Sequence, residues 1–438
     1  MKRTLTTGVL AAALGAPAIS HAQTDAAELS AMRTQLAEMQ AKLAELQGAP
    51  AETAESIQLK AATDAAIRDA GQRINYQSEG LVAGHDGKEF FLSDAEENFY
   101  WSPSAQLQFR YIVNQRENSG GDDGQQGFQM RRFKLKGDGW IADPKLEFKY
   151  SVEFNRDSNE ALVEEANISY DFGGVELIGG RYKGPFAFDE LMSSSRQMAV
   201  ERALVTEQFT TGKMEGVGLK TGFGDNGSFQ VMLSDGANGG EGGNGDFNES
   251  SADFAVTARG DLVIGNSKVV KDYTSWGEDE AGLNLGAAVH HEVGQSGDGQ
   301  TAAALDSFTR FTVDALYNSA GLSLFGAAYL ETQDAPDGVV ESDPFGFLAQ
   351  VGYNIDDKIE PFVRYEFIDP DTGGDEISLI TAGFNYYLKK HAAKFTLDGV
   401  YALDPLSGIG VSDGLGLQTD AADEDGQFAI RAQFQLLF

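Results

Sequence analysis

Apolar and polar residues alternate along the end of the chain, residues 427–438. A period of two places the side chains of one parity on one face of a strand. The stretch is as long as a tilted strand that crosses a bilayer, and it stops on an aromatic residue. The pattern therefore predicts a closing strand of a membrane barrel, with its apolar face towards lipid. The apolar parity consists of Phe428, Ile430, Ala432, Phe434, Leu436 and Phe438.

The same alternation recurs from about Asn98 onward, between clusters of Gly, Asp, Asn and Pro. For example, Leu146, Phe148 and Tyr150 alternate with Glu147 and Lys149. We count about sixteen such segments, an even number as single-chain bacterial barrels require. They lie near 106–114, 132–136, 145–154, 163–172, 174–183, 214–223, 228–234, 252–264, 281–292, 307–317, 320–331, 344–354, 358–368, 376–388, 393–403 and 427–438.

The gaps between these segments alternate between short and long, as the turns and loops of a barrel do. The gap 265–280 breaks this rule, because it is long where a short turn is expected, and it contains Trp276. A closed barrel leaves no unpaired strand edge in lipid. The alternative, a soluble all-β protein such as a propeller, would require a fixed-length repeat, and none is evident. The predicted fold is all-β: a sixteen-stranded antiparallel transmembrane β-barrel, preceded by a short N-terminal α-helical coiled coil.

The N-terminal residues 1–22 are predicted to be a secretory signal peptide. Lys2 and Arg3 precede the mildly apolar run Leu5–Ile19, and the run ends in a small-residue cleavage site at Ser20–Ala22. The alternative is an ordinary N-terminal helix, which Pro17 disfavours. We expect the mature barrel to occupy residues 85–438, in the outer membrane.

A heptad pattern follows at residues 23–50. Apolar residues recur at spacings of 3, 4, 3, 4 and 3, which is the seam of a coiled coil. Three heptads are marginal alone, so we expect the segment to depend on the assembly it belongs to, in the periplasm. The alternative is a single helix that lies on another surface. Residues 51–84 are predicted to be a linker, partly helical. The seam residues are Leu29, Met32, Leu36, Met39, Leu43 and Leu46.

The composition and motifs of the chain argue against several classes of function. The net charge of −34 disfavours nucleic acid as a partner, because like charge repels the phosphate backbone. The chain has no cysteine, which excludes disulfides and thiolate chemistry. Neither a Gly-x-Ser-x-Gly nor a Ser-x-x-Lys context supports a catalytic nucleophile, so we do not expect an enzyme. No cofactor is predicted, and the acidic stretch 369–375 is interpreted as a solvated loop rather than a Ca²⁺ site.

Three segments in order resemble the phosphate-selective porin O and P family. They are Gly87–Ser93, Arg131–Gly137 and Gly179–Phe186, the last followed by Ser193–Ser195 and Glu201–Arg202. The resemblance covers most of residues 85–438. It implies a homotrimeric sixteen-stranded outer-membrane channel that carries anions past lumen arginines and its third long loop. Carried over residue by residue, it implies anion contacts at Arg110, Arg131, Arg132, Ser194, Ser195 and Arg202.

Chemistry adds a basic track, because Arg132, Lys134 and Lys136 share one face of their strand. Among the strand residues expected to face the lumen, acidic residues are nearly as numerous as basic ones, so no extended arginine ladder is evident. The alternative is that lumen charges only pair with one another. The loop 184–212 carries many apolar residues, which predicts that it folds into the lumen. Its alternative is packing on a neighbouring subunit.

These features predict a porin for passive diffusion of small hydrophilic solutes and ions, favouring anions such as phosphate. The expected partners are outer-membrane lipid, two further copies of the chain and the barrel-assembly machinery. Phe438 would serve as the insertion signal, since it resembles the C-terminal aromatic residue of outer-membrane proteins. The alternative is a structural protein whose coiled coil tethers the membrane to the cell wall.

Overall fold

The structure is a computed structural model. It describes residues 81–85, 89–94, 96, 98–116, 124–155, 160–224, 226–237, 252–294, 305–335, 341–371, 376–406, 409–411, 414–418 and 426–438. The predicted signal peptide and the coiled-coil residues Leu29, Met32, Leu36, Met39, Leu43 and Leu46 lie outside the described residues.

Strands dominate the described residues, which form one 18-stranded sheet. Helical structure is limited to single turns at Phe188–Leu191 and Leu204–Phe209 and a 3₁₀ turn at Val269–Lys271. The strands are β1 (Leu81–His85), β2 (Phe90–Asp94), β3 (Phe99–Gln115), β4 (Gly124–Ile141), β5 (Asp143–Asn155), β6 (Glu160–Asp171), β7 (Val175–Lys183), β8 (Lys213–Phe223), β9 (Gly227–Ser234), β10 (Phe254–Gly265), β11 (Gly282–Val293), β12 (Ser307–Ser319), β13 (Leu322–Asp334), β14 (Phe345–Tyr353), β15 (Ile359–Asp369), β16 (Ile377–Lys389), β17 (Ala393–Ala402) and β18 (Phe428–Leu437).

Strands β3 to β18 form the wall of a closed barrel. Each pairs antiparallel with the next, and β18 returns to β3 in a register that runs from Phe428 opposite Gln115 to Leu437 opposite Gln106. The sixteen-stranded antiparallel barrel predicted from the alternation is therefore confirmed. Closure matters because it pairs the backbone groups that an open edge would expose to lipid.

Strands β1 and β2 form a hairpin, and β2 also pairs with the first residues of β3. Leu92 and Ser93 lie opposite Trp101 and Tyr100. The pairing between β3 and the end of the chain stops at Ala105, whose carbonyl accepts from the Phe438 amide at 3.1 Å. Strand β2 therefore pairs with the part of β3 that lies before Ala105. The wall itself thus begins at Phe99. Strand β2 pairs with the first part of β3, and β18 pairs with the part that follows.

Short turns gather at one end of the barrel, together with the start of β3 and the end of β18. Ala142, Ala320 and Lys390 occupy left-handed turn positions there, with φ of 67°, 47° and 45°. In outer-membrane barrels the short-turn end is periplasmic. The connection 266–281 between β10 and β11 also lies at this end. Its unexpected length is thus a property of the chain, since each of the two flanking boundaries lies only one residue from the predicted one.

The two faces of the wall differ in chemistry as the alternation predicts. Side chains such as Val163, Ile168 and Val313 point outward and are more than half exposed. Aromatic pairs extend across neighbouring strands of the wall, such as Phe109 with Phe128 at 5.6 Å between ring centroids. Gln106, Gln108 and other polar residues face inward and are buried. An apolar exterior around a polar interior is the arrangement of a membrane barrel. No helix within the described ranges is long and apolar enough to cross a membrane.

Candidate functional site

The loop 184–212 enters the barrel between β7 and β8 and packs on the inner wall. Phe186 and Leu204 are fully buried, and Met198 and Val200 are almost so. Phe209 stacks on Tyr329 of β13 with 5.6 Å between ring centroids. Burial of these side chains keeps the loop in the lumen, because each would otherwise expose a large apolar surface to water.

Polar contacts fix the same loop to several sides of the barrel. The Arg259 guanidinium on β10 donates to the Phe186 carbonyl at 2.7 Å. On β17, Lys394 donates to the Gln197 carbonyl at 2.7 Å, and Asp398 accepts from the Val200 amide at 2.8 Å. These bonds satisfy backbone groups that the loop would otherwise bury unpaired. The loop therefore spans the lumen from β10 to β17.

A β-bulge in β4 brings two adjacent arginines to the same face. Gln108 pairs with Arg132 and Phe109 with Met130, so Arg131 is the extra residue between them. A bulge interrupts the period of two and re-aims the side chains beside it. Arg131 and Arg132 consequently both face the loop, which neighbouring residues of a regular strand could not do.

Glu201 of the loop collects the arginines predicted for the constriction. Its Oε1 accepts from Arg131 Nε at 2.6 Å and Arg110 Nη1 at 2.9 Å, and its Oε2 accepts from Arg132 Nη2 at 2.7 Å. Burial alone would raise the pKa of the Glu201 carboxyl, but Arg131, Arg132 and Arg110 outweigh burial and hold that pKa well below its usual 4.5. A permanently charged carboxylate thus occupies the place where an arginine cluster could hold an anion.

Ser194 and Ser195, at which the resemblance implied anion contacts, lie on the same inward loop, and Gln108 bonds to both Ser194 and Arg132 of the cluster. The Ser194 hydroxyl accepts from the Gln106 amide at 3.0 Å, and its carbonyl accepts from Gln108 at 3.2 Å. The Ser195 hydroxyl is buried and lies 2.9 Å from the Ser193 hydroxyl. Ser194 thus holds the loop against β3, whereas the Ser195 carbonyl accepts from Gln435 of β18 at 2.9 Å.

Arg202 does not join the cluster. Its guanidinium pairs with Glu190 at 3.1 Å and donates to the carbonyls of Asp189 and Met192 at 3.1 and 2.9 Å. These acceptors surround the helical turn Phe188–Leu191, whose carbonyls need partners. Arg202 therefore fastens the loop to itself.

Lys134, two residues beyond Arg132 on β4, belongs to a second charged group. Its ammonium lies 2.8 Å from Glu153 and 2.6 Å from Glu164, and Glu164 also binds Lys213. Glu164 is the extra residue of a bulge in β6, since Ser151 pairs with Glu165 and Val152 with Val163. The predicted basic track is thus largely neutralised by carboxylates, although Lys136 instead donates to Gln106 at 2.6 Å.

Elsewhere in the lumen, charges pair across or along the strands. Arg431 binds Asp398 at 2.8 Å, Arg364 binds Glu366 at 2.8 Å and Arg259 binds Asp314 at 2.8 Å. Pairing of this kind was the alternative reading of the lumen charges. No group of three or more potential metal ligands occurs among the described residues.

Sequence reasoning brought together most of the arginine cluster but missed the residue at its centre. Glu201 entered only as part of a resembling motif, and nothing in its local sequence indicates that it faces three arginines. The bulges at Arg131 and Glu164 were also missed, because the period of two assigns neighbouring residues to opposite faces.

An apolar outer wall around a charged lumen crossed by an inward loop defines the class of outer-membrane channel proteins. Within that class the family model for phosphate-selective porin O and P matches residues 104–400, which is more than half of the chain. The chain therefore belongs to the phosphate-selective porin O and P family. The resemblance stated from the sequence is confirmed.

Solved structures share the fold at low sequence identity. The anion-selective porin from Comamonas acidovorans is 13% identical with a TM-score of 0.56, over 78% of this chain and 100% of that chain. The outer membrane channel DcaP of Acinetobacter baumannii is 13% identical with a TM-score of 0.52, over 78% of this chain and 99% of that chain. Salmonella typhi OmpF, in complex with daunomycin, is 14% identical with a TM-score of 0.52, over 78% and 98%. No curated protein sequence matches significantly.

Proposed function

We propose that this protein is a porin through which small hydrophilic solutes and ions diffuse passively, with a mild preference for anions. One observation carries the preference: Arg110, Arg131 and Arg132 converge on the single carboxylate of Glu201. Within the described part of the chain, three guanidinium groups share this carboxylate, which supports a local field of positive sign at the inward loop. The positive field favours anions where the lumen narrows and screening is weak.

Glu201 sets the strength of this preference. As a tethered carboxylate it offers the arginines a pair of acceptor oxygens, as a permeating carboxylate or phosphate would. It therefore competes with the permeating anion and lowers the charge that the anion meets. We accordingly expect a weakly selective channel, in which phosphate is one of several permeating anions.

The family and the fold support a proposal for the assembly. We propose a homotrimer in the outer membrane, surrounded by lipid, with the predicted coiled coil at Leu29–Leu46 in the periplasm. Phe438 would present the closing strand to the barrel-assembly machinery. A solved trimer form of Vibrio cholerae OmpT, at 13% identity, supports a trimeric arrangement for barrels of this shape.

Reversal potentials in a salt gradient across planar bilayers test the proposal. Glu201→Gln should raise the ratio of anion to cation permeability several-fold, because it removes the negative charge that the three arginines share. Glu190→Gln is the matched control, since it makes the same charge change on the same loop but beside Arg202. A wild-type channel that is strongly cation-selective, or equal reversal potentials for the two variants, would contradict the proposed preference. Poor conductance in the wild type would instead favour the structural tether.

A further inference from the structure

The connection 266–281, here named the periplasmic segment, crosses the short-turn end of the barrel. The Asp279 carbonyl accepts from the Ala320 amide in the β12–β13 turn at 3.0 Å. The Gly277 amide donates to Asp357 in the β14–β15 turn at 2.8 Å. Near the β16–β17 turn, the Lys390 ammonium lies 4.4 Å from the centre of the Trp276 ring. The segment thus touches three successive turns along the mouth.

Its middle part points into the lumen and meets the inward loop. Val269, Val270 and Tyr273 are buried. The Tyr273 hydroxyl donates to Asp189 of the loop at 2.9 Å. Burial, with Asp189 beside it, raises the pKa of Tyr273 well above its usual 10, so the hydroxyl keeps its proton and remains a donor. The loop and the segment are therefore joined inside the barrel.

Beneath the segment lie polar side chains that the closed arrangement leaves incompletely bonded. The amide nitrogen of Asn318 donates to the Val269 and Asp272 carbonyls at 2.7 Å, but its Oδ1 has no hydrogen-bond partner among the described residues. The same holds for Ser323 Oγ, both side-chain polar atoms of Asn354, and Glu360 Oε1. A buried polar group without a partner destabilises the arrangement that buries it. The side chains are suited to a wall that faces water.

Glycines stand at both ends of the segment. Gly265 has φ of +86°, a conformation that favours glycine, and a Cβ there would lie 2.4 Å from the Ala281 carbonyl oxygen. A Cβ on Gly282 would lie 2.3 Å from the Asn266 carbonyl oxygen. A few terminal positions of this kind can absorb the backbone changes of a hinge.

We infer that the periplasmic segment is a lid, closed in this structure, whose outward movement uncovers a polar path along β12–β16. Movement would break the Tyr273–Asp189 and Asn318 contacts, the Asp272–His391 ion pair at 2.8 Å and the bonds to the turns at the mouth. It would also expose Asn318, Ser323 and Glu360 to water. Hydration of these polar groups offsets part of the loss. The inference rests on the proposed channel for its role, but the movement itself can be measured separately.

Thiol labelling measures the movement, because the chain contains no cysteine. A Ser323→Cys variant of the full chain in liposomes should react slowly with a maleimide, since the site is buried. Adding Tyr273→Phe, which removes the bond to Asp189, should accelerate labelling several-fold. The control is Thr312→Cys, a buried site further along β12 opposite Tyr329, whose labelling should not change. Equal labelling of Ser323→Cys with and without Tyr273→Phe would overturn the lid.

Single-channel recording then separates the lid from the channel. Tyr273→Phe should increase the time spent in the higher conductance level, whereas Tyr317→Phe, on the outer wall, should not. Accelerated labelling without any conductance would support the lid and contradict the proposed channel. Normal conductance without accelerated labelling would support the channel and contradict the lid.

Discussion

Glu201 and Arg132 form a two-pronged ion pair inside the barrel, with Nη2–Oε2 at 2.7 Å and Nη1–Oε1 at 3.1 Å. The next residue along the chain, Arg202, turns away and binds Glu190 and the carbonyls of its own loop. Glu201 and Arg202 are adjacent in the loop but make different contacts. Glu201 joins the loop to β3 and β4, and Arg202 keeps the loop folded.

This division predicts different consequences for two arginine substitutions. Arg132→Ala should lower the ratio of anion to cation permeability several-fold, because it removes a cation from the cluster. Arg202→Ala should leave selectivity nearly unchanged but weaken the loop by roughly 3 kcal/mol, the cost of leaving a buried partner unpaired. Reversal potentials report the first effect, and current noise with the temperature of heat modification reports the second. A larger selectivity change in Arg202→Ala than in Arg132→Ala would contradict this assignment.

The pKa of Glu201 predicts how selectivity depends on pH. A carboxyl with a lowered native pKa contributes its stabilisation above the unfolded value, here 4.5, and loses it only as pH falls through the lower native value. The Glu201–arginine contacts should therefore persist from pH 7 to about 4.5. The difference in reversal potential between the wild type and Glu201→Gln should therefore be the same at pH 7, 6 and 5. A rise in anion preference over this range, absent in Glu201→Gln, would show that Glu201 takes up a proton.

The sequence predicted the barrel because its signal is local: each strand carries its own period of two, and the gaps alternate. It also predicted that Arg110, Arg131 and Arg132 belong together, through the resemblance. It could not predict how they meet, because the bulge at Arg131 depends on the register with β3. The same holds for Arg202, which resembled a constriction residue until the carbonyls around Phe188–Leu191 were seen to surround it.

The course of the periplasmic segment also could not be predicted from the sequence. The length of the gap marked it as unusual, but its inward course depends on contacts such as Tyr273 with Asp189, which are 84 residues apart in the chain. No periodicity within 266–281 reports such a distant partner.

The second charged group offers an independent change in selectivity. Glu164→Gln should raise anion preference, because Glu164 neutralises both Lys134 and Lys213. Glu165→Gln is the control: Glu165 is the neighbouring acid but pairs with Lys149, whose side chain is 58% exposed and well screened. Reversal potentials should shift more in Glu164→Gln than in Glu165→Gln. Equal shifts would mean that the count of charges matters more than their positions.

Deletion of residues 23–50 tests the predicted coiled coil. The barrel should still insert, since the described strands close without this segment, but the oligomer should dissociate at a lower temperature. Semi-native gels of outer-membrane fractions measure both. Substituting Leu36 and Leu43 with Ser in the intact chain should reproduce the loss, whereas substituting Glu38 and Lys42, which lie off the seam, should not. An oligomer of unchanged heat resistance in the deletion would remove the coiled coil from the assembly.

The last prediction concerns Phe438, whose ring is 64% exposed beside the closing strand. Its backbone bonds to Ala105 do not depend on the side chain, so Phe438→Asp leaves the closure of the barrel intact. An acidic residue near the membrane boundary costs only roughly 0–1 kcal/mol. A large fall in the amount of heat-modifiable barrel in outer-membrane fractions would therefore report lost recognition during insertion rather than an unstable barrel. Phe438→Tyr keeps the aromatic ring and should insert like the wild type. Detergent refolding provides the second control, because both variants should fold equally there. Wild-type levels of Phe438→Asp in the membrane would show that the terminal aromatic residue is not the insertion signal.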